Sequence, residues 1–470
     1  MRSNQTISQQ VAEYVTKMTV GDLPPEVIAK TKLCILDAIG CMVAGSQDRV
    51  STIVAKHIKR QGANGTCTLF GHPGCVGPEA AALANGIAAH VLELDDGHRP
   101  SDNHLGCVVV PAALAMAQAT EAPAAEFLLS ASLGYDVMGR VGEAVLLPRQ
   151  RLPFHGTATT GVFGSAAAAG RLLGLTSAQL VNALGVAGDG ASGLGEYRGI
   201  GADCKPLHAG RAAQAGITAA LLAAEGYQGP PRIFEGQHGF CNAFAGEPRP
   251  ELICAELGQR FAVLESGFKV HASTGGTFTA IDAALWLRKE YRLQPHSIRR
   301  IKIALPRWAR ERPGAAEKFR HPKSVGESRQ SILFVVAAAF HDGEVTHCQH
   351  TSAKLVDPGI AALEERIEFT TDREVEEIFN ATRLDAQFFV PCALEVDCGE
   401  RVYRRLERTP RGYNPDRSLS QAEVVGKFRS LAKGVLSEPQ TDRLIDWALG
   451  LDSGSQMRDL LVVLSGSMSG

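Results

Sequence analysis

Apolar and polar positions change rhythm near residue 265 of this chain. Before that point alanine, leucine and glycine recur in blocks with helical spacing, as in Glu79–His90 (EAAALANGIAAH) and over 165–173, 179–187 and 211–225. Alanine and leucine favour helix, and small residues on so many faces predict helices packed closely against one another. Glycine-rich stretches at 185–201 and 226–231 interrupt the pattern and read as loops suited to line a cleft. Beyond 265 short alternations at Ile298–Leu305, Arg366–Thr370 and Ala393–Val396 predict half-buried strands, separated by helical stretches at 277–290, 327–340 and 372–380. From Ser418 to Gly450 an amphipathic helical rhythm returns. The expected fold is therefore mainly α with an α+β insert. A large helical domain is built from both chain ends, 1–266 and 405–470, and a smaller α/β domain spans 267–404.

Length agrees with this division, because 470 residues exceed what one hydrophobic core usually organises. A formal net charge of −2 and a pI near 6.7 give no polybasic footprint for nucleic acid or an anionic membrane, so small molecules are the expected partners. No apolar run approaches the roughly 18–20 residues needed to cross a bilayer. The start, MRSNQT, carries no hydrophobic secretory segment, and a cytoplasmic protein is expected. Eleven cysteines without any Cys-x-x-Cys pair fit neither a disulfide framework, a zinc ribbon nor an iron–sulfur site. His347-Cys348-Gln349-His350 is the nearest thing to a metal cluster; following the Asp342-Gly343 turn signal, it reads as strand or loop surface.

Four polar groups stand out against the apolar background. His90-Val91-Leu92-Glu93-Leu94-Asp95-Asp96-Gly97-His98, followed by His104, puts acids beside histidines where a helix breaks. Such mixtures shift pKa values in opposite directions, although a solvated helix end has the same composition. His155, in FHGTATTG ahead of an alanine-rich helix, sits where unpaired N–H groups and the helix dipole favour an anion; Tyr135 and Arg140 lie upstream. Its imidazole is able to move a proton near pH 7 or merely to bond its own loop. Lys205, in CKPLHAG at another helix entry, suits a substrate carboxylate or is simply exposed. The fourth group, FKVHASTGGT, places Lys269 and His271 before Ser273 and Thr274, a combination of site residues and helix-capping hydroxyls.

ELDDGH with the later His104, FHGTATTGVFGSAAAAGRLLGL, KPLHAGRAAQAGITAALLAAEGYQGP and the Phe268-Lys269 turn together resemble the MmgE/PrpD family, in order and in spacing. The resemblance extends to RGYNP at Arg411–Pro415 and to the Lys427-Phe428 helix, covering nearly the whole chain. It implies a helical domain made of both chain ends plus an α/β lid, a homodimer, and chemistry on small di- or tricarboxylates without metal or organic cofactor. In that chemistry a proton moves at a carbon next to a carboxylate, so cations must offset the developing negative charge. The resemblance assigns catalytic roles to His104, His155, Lys205, Lys269 and Asp95, with Lys205 and Lys269 also binding carboxylates; His271, standing where the family usually has an aromatic residue, is a further catalytic candidate. Asp96, Glu93, Arg140, Ser273 and Thr274 are the expected substrate-binding or orienting residues.

The chain also departs from the family pattern. After the lid lysine, members often carry a stretch like Tyr-Pro-Ser-Cys-Arg-His-Thr-His, whereas His271–Phe278 reads HASTGGTF, without the arginine and two histidines. A tyrosine of decarboxylase-type members corresponds to Phe334, which has no proton to donate. Glu93 stands where an aspartate is usual, and Gly97 where threonine is common. These changes disfavour cis-aconitate decarboxylation and set the chain apart from typical 2-methylcitrate dehydratases. The expected activity is a hydro-lyase moving an α-proton. The alternatives are a dicarboxylate epimerase of the iminodisuccinate type and a catalytically silent binding or scaffold protein.

Overall fold

The computed structural model describes residues 5–62, 64–145, 153–311, 317–381, 390–452 and 454–460. The start of the chain, on which the absence of a secretory segment was read, lies partly outside them. The described residues divide between one unit drawn from Met1–Gly195, Cys204–Ser266 and Ser420–Gly470 and another drawn from Glu196–Asp203 and Gly267–Leu419.

The first unit is a helical assembly. Gly106–Ala119 (GCVVVPAALAMAQA) is apolar all round and buried along nearly its whole length, as expected of a central helix. Around it pack Pro78–Val91, Ala124–Val145, Gly156–Leu172 and Cys204–Ala224. The small residues of the sequence set the spacing. A Cβ on Gly210 would stand 2.2 Å from the Leu83 carbonyl oxygen, so these two helices approach at backbone contact. Ser165 Oγ bonds the Ala212 carbonyl across a second tight pair at 2.7 Å. The C-terminal helices Gln421–Ala432 and Glu438–Leu449 pack on Pro25–Gly45, which brings both ends of the chain into one hydrophobic core. Among the described residues no helix is long and apolar enough to cross a membrane.

The second unit is built on a four-stranded sheet ordered Ile367–Thr370, Arg300–Ala304, Cys392–Asp397, Val402–Glu407. The first pair is parallel and the other two antiparallel, with Ile301 opposite Ile367 and Val396 opposite Tyr403. Helices Phe278–Glu290 and Ile332–Asp342 contribute Ile281, Leu287, Phe334 and Phe340 to a core shared with Ile301, Ile303, Leu394 and Val396. Gly343, at φ 83°, ends the second of these helices in the left-handed conformation that glycine adopts freely. The strand Val402–Glu407 was not anticipated, and with it the unit runs to Leu419 instead of ending at 404. The helical stretch expected at 327–340 is divided, because Ser331 caps a new helix by accepting from the Phe334 N–H. His347–Gln349 forms a 3₁₀ turn, not strand, because Thr346 and Gln349 cap each other's backbone.

Candidate active site

The helix Pro78–Val91 stops at a turn in which Glu93 takes φ 55°, a left-handed conformation uncommon outside glycine. The reversal folds Asp95 back on the helix end, where its carboxylate lies 2.8 Å from His90 Nδ1 and 3.5 Å from His104 Nδ1. All three side chains are buried. His104 Nδ1 also lies 2.8 Å from the Asp96 carbonyl oxygen. A carbonyl can only accept, so Nδ1 carries the hydrogen and the lone pair of the neutral ring is on Nε2. Lys427, from the C-terminal helix, steadies the turn: its Nζ donates to the Leu94 carbonyl at 2.6 Å and pairs with the buried Asp37 at 2.6 Å.

His155 occupies the N-cap position of Gly156–Leu172, its own N–H donating to the Gly193 carbonyl at 2.9 Å. This turn is locked to the His104 loop, since the His104 N–H donates to Thr157 Oγ1 at 3.0 Å and Asn103 Nδ2 to Thr160 Oγ1 at 3.1 Å. Glycine at 156 leaves room for Asn103, because a Cβ there would stand 2.2 Å from Asn103 Oδ1 and push the amide aside. The result is a chain of imidazoles. His90 lies 4.9 Å from His104 and 5.7 Å from His155, ring centre to ring centre, and His155 lies 5.4 Å from His208. Lys205, in the first turn of Cys204–Ala224, pairs with Glu93. Burial pushes the His155 pKa well down, and nearby His90, Lys205, His104 and His208 add to the effect, so His155 is neutral at physiological pH and keeps a ring lone pair able to accept a proton.

The first unit therefore gathers Glu93, Asp95, His104, His155 and Lys205, and adds His90 and His208, which were absent from the expected set. Both carried a signal. His208 follows Lys205 by three positions, a spacing that puts two helical residues on neighbouring faces, and His90 ends the helix from which the acidic turn departs.

Two expected substrate-binding residues are otherwise engaged. Arg140 donates to Asp136 at 2.9 Å, one helical turn away, and to the carbonyls of Ala255, Glu256 and Arg260, so its guanidinium clamps backbone. Asp96 accepts from the Gly106 N–H and the Tyr135 hydroxyl, both at 2.8 Å, which fixes the entry of the central helix. Burial and the nearby Asp37 raise its pKa to about 7 against these hydrogen bonds, a direction that suits a structural acid.

Lys269, His271, Ser273 and Thr274 belong to the second unit. Lys269 is fully buried. His271 Nε2 lies 2.9 Å from Asp282 Oδ1; the Asp282 pKa is held low by His271 and the Arg411 N–H although burial opposes it. Ser273 donates to the Arg329 carbonyl at 2.9 Å and accepts from Thr277 at 2.8 Å, while the Thr274 N–H donates to that same carbonyl at 3.1 Å. Both residues shape the turn before Gly275–Thr277, and the Ser273 hydroxyl is committed there instead of facing substrate.

Among the described residues two groups have spacing suited to a metal, His90–Asp95–Cys107 and His98–Glu143–Glu265. In the first Asp95 already accepts from His90, and in the second Arg260 is paired with both glutamates.

Residues 9–253 match the model of the MmgE/PrpD N-terminal domain and residues 271–452 that of the MmgE/PrpD C-terminal domain. The chain belongs to the MmgE/PrpD family. Members similar to it include the cis-aconitate decarboxylase-like protein oryM of Aspergillus oryzae, 28% identical with 98% of each chain covered. The cis-aconitate decarboxylase of Homo sapiens is 28% identical over 98% of this chain and 95% of its own, and that of Aspergillus terreus 25% identical over 98% and 96%. Both MmgE/PrpD domains are thus present along one chain.

Proposed function

We propose that this protein is an acid/base lyase of the MmgE/PrpD type that moves a proton next to a carboxylate of a small di- or tricarboxylate, and that its reaction is elimination of water. The observation that carries the reading is the pairing of two differently tuned histidines. His104 is held as the Nδ1–H tautomer by the Asp96 carbonyl and stands 3.5 Å from the Asp95 carboxylate, so its cationic form is stabilised. His155 is buried among other cationic or basic groups, so its neutral form is favoured. Groups whose environments push them apart divide acid from base work.

In this mechanism neutral His155 removes the α-proton. The intermediate carries an added negative charge on the substrate carboxylate, which the Lys205 ammonium offsets. His104, as imidazolium, protonates the departing hydroxyl, and Asp95 limits the cost of that charge in a buried place. Lys269 is the proposed second carboxylate-binding cation, an assignment that rests on the family motif, and His271, oriented by Asp282, is a proposed further acid/base group standing where the family usually carries an aromatic residue. Decarboxylation, named for the relatives, is disfavoured by Phe334, whose side chain offers no proton.

The test is incubation of the protein with 2-methylcitrate, citrate and cis-aconitate in D₂O, followed by NMR. Formation or hydration of an alkene with deuterium at the α-carbon is expected. Deuterium entering a dicarboxylate with scrambled configuration and no unsaturated product would instead establish an epimerase, and neither exchange nor turnover a silent family member. His155→Ala with an undiminished rate removes the proposed base.

A further inference from the structure

We propose that His208 is a proton relay for His155, carrying the abstracted proton's charge from the buried base toward solvent. The proposal rests on the reading of His155 as base. The two Nδ1 atoms lie 3.2 Å apart, and a contact between two imidazole nitrogens is a hydrogen bond only when one proton is held between them. His155 is buried whereas His208 is half-buried, so the pair spans the passage from the site interior toward water. His155 is fixed at its end by the Gly193 carbonyl and the helix it caps. His208 is fixed by its position one helical turn after Lys205. A positive charge left on His155 would stand near the Lys205 ammonium in a buried place, and its transfer to His208 moves it to the more hydrated partner.

The step balances without a co-reactant beyond water. The His155 Nε2 lone pair takes the substrate proton while the Nδ1–H bond of His155 breaks and an N–H bond forms at His208 Nδ1. His155 is left neutral as the Nε2–H tautomer, and imidazolium His208 releases its Nε2 proton to water. Reset runs through the same bonds: His208 regains a proton at Nε2 from water, returns its Nδ1 proton to His155, and His155 gives its Nε2 proton to water entering after product leaves. The net result is transfer of the substrate proton to solvent.

The experiment compares wild type, His155→Ala, His208→Ala and His208→Gln with the same tricarboxylate probes, with and without added imidazole. For His208→Ala the relay predicts a kcat loss of about 100-fold, the low end for acid/base groups, with KM little changed and a saturable recovery by imidazole. His208→Gln keeps a polar contact but cannot pass a proton, and should be as slow and resist rescue. An inactive His155→Ala beside a fast His208→Ala, or a His208→Ala loss that imidazole does not restore, overturns the relay alone; a fast His155→Ala overturns the reading of His155 as base and the relay with it. Independently of turnover, ¹⁵N-histidine spectra of the ligand-free protein should show one of the two Nδ1 atoms protonated and the other not. Two unprotonated Nδ1 atoms overturn the relay.

Discussion

Asp95→Asn tests whether the buried carboxylate beside two imidazoles does electrostatic work. The change preserves shape: an asparagine oxygen still accepts from His90 Nδ1, and the His104 ring stays oriented by the Asp96 carbonyl at 2.8 Å. What disappears is a negative charge 3.5 Å from His104. With an effective dielectric of about 20, unit charges at that distance attract by about 5 kcal/mol. Spreading the imidazolium charge over two nitrogens lowers this to about 4 kcal/mol, and the dipole that asparagine keeps at the same place offsets part of it, leaving a working loss of about 2 kcal/mol. The imidazolium of His104 should therefore be harder to form, and kcat should fall about 30-fold or more if this ion protonates the leaving group. The assay is a kcat profile against pH for wild type and variant. Removing the charge disfavours the imidazolium, so the limb where activity is lost by deprotonation moves to lower pH. KM should change little, because Asp95 touches histidines and not the proposed carboxylate-binding lysines. An Asp95→Asn enzyme with wild-type kcat and an unmoved limb would refute the assignment of His104 as the acid.

Further outcomes follow from the residues around this centre. Asp96 keeps its proton to about pH 7 in the folded chain but loses it near 3.8 when unfolded, so the unfolded state binds fewer protons in that window and stability falls as pH rises through it. Thermal melts should show wild type losing more stability than Asp96→Asn between those limits; parallel curves would contradict the shift. Lys427→Met leaves Asp37 buried without its cation and the Leu94 carbonyl without its donor, and urea unfolding should register a loss of about 3–5 kcal/mol, partly recovered by adding Asp37→Asn. Gly156→Ala forces a Cβ against Asn103, and a drop in both melting temperature and kcat is expected in calorimetry and turnover assays. Lys269→Met should raise KM for a tricarboxylate in steady-state kinetics while the protein stays folded; an unchanged KM removes Lys269 from substrate binding.

The helical unit was legible because its signals are local. Alanine blocks with helical spacing marked Pro78–Val91, Gly156–Leu172 and Cys204–Ala224 directly, and the change to alternation marked three strands of the sheet. The fourth strand, Val402–Glu407 (VYRRLE), escaped because it is an edge strand carrying two consecutive arginines, which break the apolar alternation. The capping pair Thr346–Gln349 was equally visible in sequence, but the polar run His347-Cys348-Gln349-His350 has no periodicity to tell a strand from a capped turn. Arg140 illustrates how a local signal was passed over. Asp136 stands four residues earlier on the same helix, a spacing that favours an internal ion pair over a free cation.

The candidate site was less legible, and for a physical reason. Composition identifies which side chains are able to carry protons, but not which of them the fold deprives of water or pairs with one another. Asp95 and Asp96 are neighbours in sequence with the same chemistry, yet one faces two imidazoles and the other a tyrosine hydroxyl and a helix N–H. The difference is made by the left-handed turn at Glu93 and by Lys427, a residue over 300 positions away whose Nζ grips the Leu94 carbonyl. The same holds for His155. Its place ahead of a helix suggested proton chemistry, but its neutral state depends on burial and on His90, Lys205, His104 and His208, which three other segments deliver. In a fold made of small-residue helices such convergence is set by how closely the helices approach. Filling the contact at Gly210 would therefore disturb the site through the register of Pro78–Val91, without altering any residue that touches substrate.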